Sequence, residues 1–444
     1  MKPTLTRLNA LAMVVGTIIG ASIFVQPSEI ARHLSTPGEI MLVWLACGVL
    51  TLFGALVCAE LASAFPQTGG LYVFLRETFS PLAGFLWGWA MFWSVHTGII
   101  AAIATVFARY TAHFIHGGNV GDAGIRAIAV GVILGVSALT AAGMRIGTRV
   151  QTALTILKVL AIAALVATGV AYVVNHGAAM TTAAPQVSGD GFSGFLLAMV
   201  AGLFAYGGWH IVTYTAGETV MAARTIPFAL VTGVGVVTAC YMALNQLYLL
   251  LLPLDTVRSS TRIAADAADA VLGSGGAAFM AALVMLSSLG GLIGLVLSGP
   301  RVYYSMGQDG VAFRWLASVS RERGTPIAAI ALQALWASVL AATGAYREIF
   351  TRVIYTEWIF FALMAAGLFV LRRRPDYNPG FRTPGHPFVP LAFIAASLAL
   401  VVNQLVRTPV PALTGLGLVV LGIPVYYLAP GSRLRASEAP EPEA

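Results

Sequence analysis

Twelve apolar runs separated by short polar joints leave this chain one choice of solvent. They cover residues 8–26, 39–65, 82–114, 124–141, 148–174, 192–215, 227–252, 276–305, 326–344, 351–371, 388–406 and 411–429, numbered here as segments 1 to 12. A helix needs about 20 apolar residues to cross the hydrocarbon of a bilayer, and these runs are of that order. Only 10% of the 444 residues are charged and 58% are hydrophobic, whereas a soluble domain carries roughly 25% charged residues. In lipid every backbone N–H and C=O must be satisfied within the chain, which favours helices. The expected fold is an all-α membrane protein with 12 transmembrane helices. The longest polar stretches, 308–325 and 372–388, are too short for a separate soluble domain.

The formal charge of +7 raises nucleic-acid binding, but the basic residues form no single patch. They stand at the ends of apolar runs, as membrane topology requires. An even number of spans puts both termini on one side. With that side cytoplasmic, 16 Lys/Arg lie inside and 8 outside, with Lys158 left in the membrane. The expectation is a multi-pass protein of the bacterial inner (cell) membrane with both termini cytoplasmic. Residues 430–444 read as a disordered cytoplasmic tail. Met1 to Phe24 resembles a signal peptide only superficially, because many spans follow it, and is read as a retained first helix. Cys47, Cys58 and Cys240 lie inside apolar runs with no CxxC or Cys/His cluster. Neither a metal site nor a disulfide framework is signalled, and nothing calls for a cofactor. HExxH, GxSxG and Walker patterns are absent, so no catalytic residue is assigned and an enzyme is not expected.

Two segments are interrupted by glycine: segment 1 at Gly16-Thr17-Ile18-Ile19-Gly20-Ala21-Ser22, and segment 6 at Phe204-Ala205-Tyr206-Gly207-Gly208-Trp209. These are the first members of two successive sets of five. Matched interruptions in two halves point to an inverted-repeat transporter with its site at the breaks; the alternative is that the glycines only permit close packing. The expected division is repeat 1 over 1–175, repeat 2 over 190–375, and two further helices over 388–429. A break frees N–H groups at the start of one half-helix and C=O groups at the end of the other. The N–H groups and the positive dipole end suit a carboxylate, and the carbonyls suit an ammonium. Two facing breaks can therefore hold both ends of a zwitterionic amino acid.

Several stretches carry a family resemblance. GTIIGASIF at 16–24, AELASAFPQTGGLY at 59–72, FAYGGW at 204–209, RTIP at 224–227, SSLG at 287–290 through Arg301, GQDG at 307–310 and the Leu371–Pro387 segment are similar to motifs of the amino acid–polyamine–organocation superfamily. Within it the chain resembles bacterial exchangers of the L-amino-acid transporter family. The resemblance spans about residues 7 to 390 and implies a LeuT-type 5+5 inverted repeat with broken helices 1 and 6. It also implies that Gly20, Ala21 and Ser22 offer N–H groups to a substrate carboxylate. Ile18, Phe204, Ala205 and Gly207 would offer carbonyls to its amine, and Phe204 would gate the site. A lysine at position 158 would take the place of a sodium ion and link helix 1 to helix 8, with Ser287 and Ser288 as partners there. The chain departs from the family pattern at Ala21-Ser22, at His210 where eukaryotic relatives have Asn, and at Ile293. Those relatives pair with a heavy subunit through a cysteine between spans 3 and 4. Residues 115–123 contain none, so no disulfide-linked heavy subunit is expected.

Ionisable groups deep in spans are costly and usually functional. Lys158 lies roughly 15 Å into segment 5 at about 1.5 Å per residue, long for snorkelling. Glu357 lies in the outer half of segment 10, either as a proton-linked or gating carboxylate or as one facing vestibule water. His210 directly follows the second break, where it can touch substrate, titrate, or cap the half-helix. His96 reads as an interhelical hydrogen-bonding group. Glu60 and Arg301 read as members of inner-face ion pairs. The expected function is sodium-independent exchange of neutral L-amino acids by alternating access. The alternatives are proton-coupled amino acid symport through Glu357 or His210, and a polyamine or amine antiporter, for which the breaks themselves supply no acid. The expected partners are thus an amino acid substrate and the lipid bilayer, with no nucleic acid.

Overall fold

A computed structural model describes residues 3–115, 120–178, 191–345 and 353–428. The regular elements among these residues are all helices. Nine helices are long and apolar enough to cross a membrane among the described residues: Pro37–Ala64, Pro81–Ala112, Asp122–Ala141, Met144–His176, Phe192–Glu218, Ala222–Leu251, Gly276–Gln308, Phe388–Arg407 and Pro409–Leu428. Three shorter apolar helices, Arg7–Ile18, Ile327–Thr343 and Thr356–Leu371, correspond to segments 1, 9 and 10. The expected tail at 430–444 and the start of segment 10 at 351–352 lie outside the described residues.

Local chemistry sets the helix starts. Thr6 caps Arg7–Ile18 by accepting from the Asn9 N–H, and the Asn9 side chain answers at the Thr6 N–H. Thr36 and Glu39 do the same for Pro37–Ala64, where Pro37 occupies a first-turn position that needs no N–H donor. Segment 3 is one continuous span, but it widens into a π-turn at Met91–Val95. Segment 8 continues past its expected end to Gln308 through the Gly299–Pro300 junction.

Small residues bring the helices together. Segment 2 lies along segment 7, where a Cβ at Gly48 would stand 2.6 Å from Thr238 Cγ2. Segment 1 is inserted between segments 5, 7 and 8. In the hydrocarbon there is no hydrophobic drive between helices, so such close approach supplies the association through packing. Gly16 belongs to this group. It is helical, and a Cβ there would collide with Thr155 Oγ1 of segment 5. The first break therefore starts later than the glycine pattern suggested, at Ile19.

Candidate functional site

Both glycine-interrupted segments lose their α-helix. In segment 1 the helix stops at Ile18, Ile19 turns out with φ −73° and ψ 82°, and a short 3-10 turn at Ser22–Phe24 leads into the helix Gln26–Arg32. In segment 6 the helix stops at Ala205. It resumes as 3-10 turns over Trp209–Glu218 after Gly208, whose φ of +95° favours glycine.

The two breaks touch. A Cβ on Gly208 would lie 3.2 Å from the Thr17 carbonyl. The Thr17 hydroxyl lies 3.2 Å from the Gly208 carbonyl and 2.7 Å from the Met13 carbonyl. Tyr241, from segment 7, places its hydroxyl 3.0 Å from both the Ile18 and the Ala205 carbonyls. One phenolic proton thus serves a carbonyl from each break. Sequence reasoning missed Tyr241, because a tyrosine in an apolar run looks like packing.

Several residues singled out as head-group contacts already have partners. The Gly20 N–H turns back onto the Ile18 carbonyl at 2.8 Å, and the Gly207 N–H meets the Phe204 carbonyl at 3.2 Å. Ala205 is buried and outside the cavity lining. A carbonyl oxygen has two lone pairs, and at Ile18 they meet the Gly20 N–H and the hydroxyl of Tyr241 that it shares with Ala205.

Lys158 is fully buried. Its ammonium donates to the carbonyls of Gly16 at 3.2 Å, Ile19 at 2.8 Å and Ser287 at 3.1 Å. Three donors meet three acceptors, two from segment 1 and one from segment 8. The helix-8 contact is the Ser287 backbone; the Ser287 and Ser288 hydroxyls are buried and meet no partner. The expectation named Ser287 and Ser288 as partners without saying which of their atoms; Ser287 meets the lysine through its carbonyl, and Ser288 does not meet it. Small residues make room for the ammonium there: a Cβ at Gly290 would stand only 3.1 Å from the lysine Nζ.

Beside the breaks lies a cavity of about 380 Å³, a volume in the range of small-ligand sites. Ile18, Gly20, Ala21, Ser22, Phe204, Gly207, His210 and Glu357 line it, whereas Lys158, Ser287 and Ser288 do not. Much of the remaining wall is apolar, including Met91, Ile99, Ile103, Trp358 and Phe361. Phe204, at 46% exposure, presents its ring at the wall. His210 Nε2 stands 3.6 Å from Glu357 Oε1, so segments 6 and 10 bring an imidazole and a carboxylate face to face. Trp87, Trp209, Tyr214 and Phe361 surround the imidazole with ring centroids 5.0–5.8 Å away. His96 is buried, with Nε2 3.0 Å from the Leu295 carbonyl, which ties segment 3 to segment 8.

Farther along the same segments, beyond the cavity, the helices end in ion pairs. Arg301 and Glu218 are both buried and paired, with Arg301 Nε 2.8 Å from Glu218 Oε1. Glu60, also buried, accepts from Arg372 at 2.9 and 2.6 Å and from the Thr383 N–H at 2.6 Å. Arg76 pairs with Asp309, which also accepts the Tyr72 hydroxyl at 2.6 Å. Burial and the neighbouring Asp309 carboxylate hold the Tyr72 phenol above its ordinary range. The extended residues Thr4 and Leu5 bond to the backbone of Glu218 and Val220. These contacts tie the helix ends together on this face, while the cavity lining extends the other way, through Gln26, Tyr110, Val200 and Gln404. Sequence reasoning placed Glu60 and Arg301 in such pairs but missed Glu218. Its signal is an acid eight residues past His210, at the end of an otherwise apolar segment.

Comparisons with known proteins give the family. The amino acid permease family model matches residues 5–428. The serine/threonine exchanger SteT of Bacillus subtilis is 29% identical, covering 96% of this chain and 97% of SteT. The human cystine/glutamate transporter is 29% identical, over 96% of this chain and 85% of its own length. The mouse b(0,+)-type amino acid transporter 1 is 27% identical, over 90% of this chain and 82% of its own. The chain belongs to the amino acid permease family, within the amino acid–polyamine–organocation superfamily, and is a membrane transporter of amino acids rather than an enzyme.

Proposed function

We propose that this protein exchanges neutral L-amino acids across the bacterial inner membrane, without sodium, by alternating access. Twelve transmembrane helices in a LeuT-type 5+5 arrangement would carry the two breaks, with repeats over 1–175 and 190–375 and both termini cytoplasmic. The observation that carries the reading is the Lys158 ammonium, held by the Gly16, Ile19 and Ser287 carbonyls. A fixed cation there occupies the position where a mobile one would otherwise join the first break to segment 8. Backbone carbonyls coordinate sodium in broken-helix transporters, and an ammonium that uses them removes the need for the ion. The names of the relatives, an exchanger among them, support the same reading. The substrate would lie with its carboxylate toward Gly20, Ala21 and Ser22 and its amine toward Ile18, Phe204 and Gly207. Its side chain would point into the apolar wall. Phe204 would cover it.

The test is exchange in proteoliposomes preloaded with unlabelled amino acids, with labelled amino acid outside, with and without sodium and a pH gradient. Uptake that requires internal amino acid and ignores sodium is the expected result. A strict sodium requirement would defeat the reading. The second reading, proton-coupled symport, is favoured by one observation, the His210–Glu357 approach. Accumulation driven by a pH gradient from empty vesicles would select it.

A further inference from the structure

The cavity wall holds one acid, Glu357, and no lysine or arginine among the described residues. Its partner is His210, at 3.6 Å, too far for a good hydrogen bond. Both nitrogens of His210 are buried and meet no hydrogen-bond partner. The imidazole is packed by Trp87 and Phe361. The titratable groups that interact with the pair are His96 of segment 3, beside His210, and Tyr214 of segment 6, beside Glu357; Tyr303 of segment 8 and Cys58 of segment 2 lie beyond, next to Tyr214. None of these is an obligatory cation. His96 is already bonded to the Leu295 carbonyl.

The charge balance follows. With a neutral imidazole and an ionised carboxylate, the pair carries one uncompensated negative charge inside the membrane, which is costly. One positive charge cancels it. A proton can supply that charge, on the carboxylate or on the imidazole. A cationic side chain of the transported amino acid can supply it instead. Both together would leave the site positive, which is costly in the same way.

We infer that His210 and Glu357 form a single-cation subsite of the transport cavity, filled by a proton when the substrate side chain is uncharged and by that side chain when it is cationic. The inference rests on the exchange reading above and extends it to a second substrate class. On binding a cationic amino acid, the O–H or N–H bond that holds the proton breaks, and the proton passes to the water of the cavity mouth. On binding a neutral one, a proton returns from that water to the pair.

The experiment uses the full chain in proteoliposomes with a pH-sensitive dye in the lumen, L-leucine and L-serine as neutral probes and L-lysine as the cationic one. Neutral-for-neutral exchange should leave lumenal pH unchanged. External lysine against internal leucine or serine should alkalinise the lumen, by about one proton per lysine, since the neutral partner leaves with its proton. In Glu357→Gln the site cannot become negative, and the ratio of lysine to neutral uptake should fall at least about tenfold. That ratio is read within each protein, so expression level cancels, and the wild-type proton count needs no variant. Lysine uptake without a lumenal pH change overturns the inference, as does neutral exchange with no lysine uptake, or an unaltered ratio in Glu357→Gln. Each of those leaves neutral exchange standing. Loss of exchange for every probe in the wild type overturns the exchange reading and the subsite with it.

Discussion

Thr17 and Gly208 meet across the membrane interior: the threonine hydroxyl lies 3.2 Å from the glycine carbonyl, and no Cβ separates the two backbone segments. The contact joins the two breaks directly. Gly208→Ala would force a side chain into a left-handed conformation at φ +95° and press its Cβ to 3.2 Å from the Thr17 carbonyl. Strain of this kind costs about 1–3 kcal/mol. Exchange in Gly208→Ala should drop by an order of magnitude or more, roughly the rate equivalent of that energy. Gly235→Ala, in a helix with open space around it, serves as the control and should transport normally. Equal activity of the two variants would show that the break-to-break contact has no role.

Lys158 gives a second prediction. Lys158→Ala removes the donor from three carbonyls in a fully buried position, each exposed to a loss of about 1–3 kcal/mol. Membrane insertion should persist, because segment 5 keeps its apolar length, while sodium-free exchange should fall at least about tenfold. Sodium titration of the variant separates two causes: partial rescue by sodium marks the carbonyls as an ion cage, whereas wild-type kinetics without sodium would remove Lys158 from the mechanism.

Tyr241→Phe keeps the ring, which packs edge-on against Trp44 and Tyr206, and deletes only the hydroxyl shared by the Ile18 and Ala205 carbonyls. The loss should be about 1–2 kcal/mol of stability, visible as a lower unfolding temperature in detergent. Because Tyr241 holds the ends of both broken helices, exchange should slow as well. A variant as stable and as fast as the parent would mean that the breaks keep their spacing without this bridge.

How much of this was legible in the sequence depends on the kind of signal. The breaks were readable because glycine interruptions recur at matching places in two sets of five segments, although Gly16 serves packing against Thr155. Lys158 was readable because an ammonium so deep must find acceptors, yet its partners were not: backbone carbonyls carry no sequence letter. The placement of Glu357 beside His210 was beyond reach for a different reason. It depends on the rotation of segments 6 and 10 about their own axes, set by packing with Trp87 and Phe361. Tyr241 belongs to the same class, a polar tip on an apolar body whose partner lies 223 residues away in the chain.

The last prediction concerns the ion-paired face. Arg301 and Glu218 are buried together, so removing one partner leaves a charge without compensation. Glu218→Gln should destabilise by about 3–5 kcal/mol, seen as loss of monodisperse protein and a lower unfolding temperature. The double variant Arg301→Met with Glu218→Leu replaces both charges with apolar groups of similar length and should recover most of that stability, since a buried pair is often no better than a well-packed apolar one. Transport should behave differently from stability. The pair lies at the end of segment 6 where Thr4 and Leu5 also bond to Glu218, so a face that must open and reclose needs a contact that water can take apart. Apolar side chains cannot be hydrated in that way. The double variant should therefore fold but exchange slowly. Full exchange by the double variant would show that this ion pair only stabilises the fold and does not close the face.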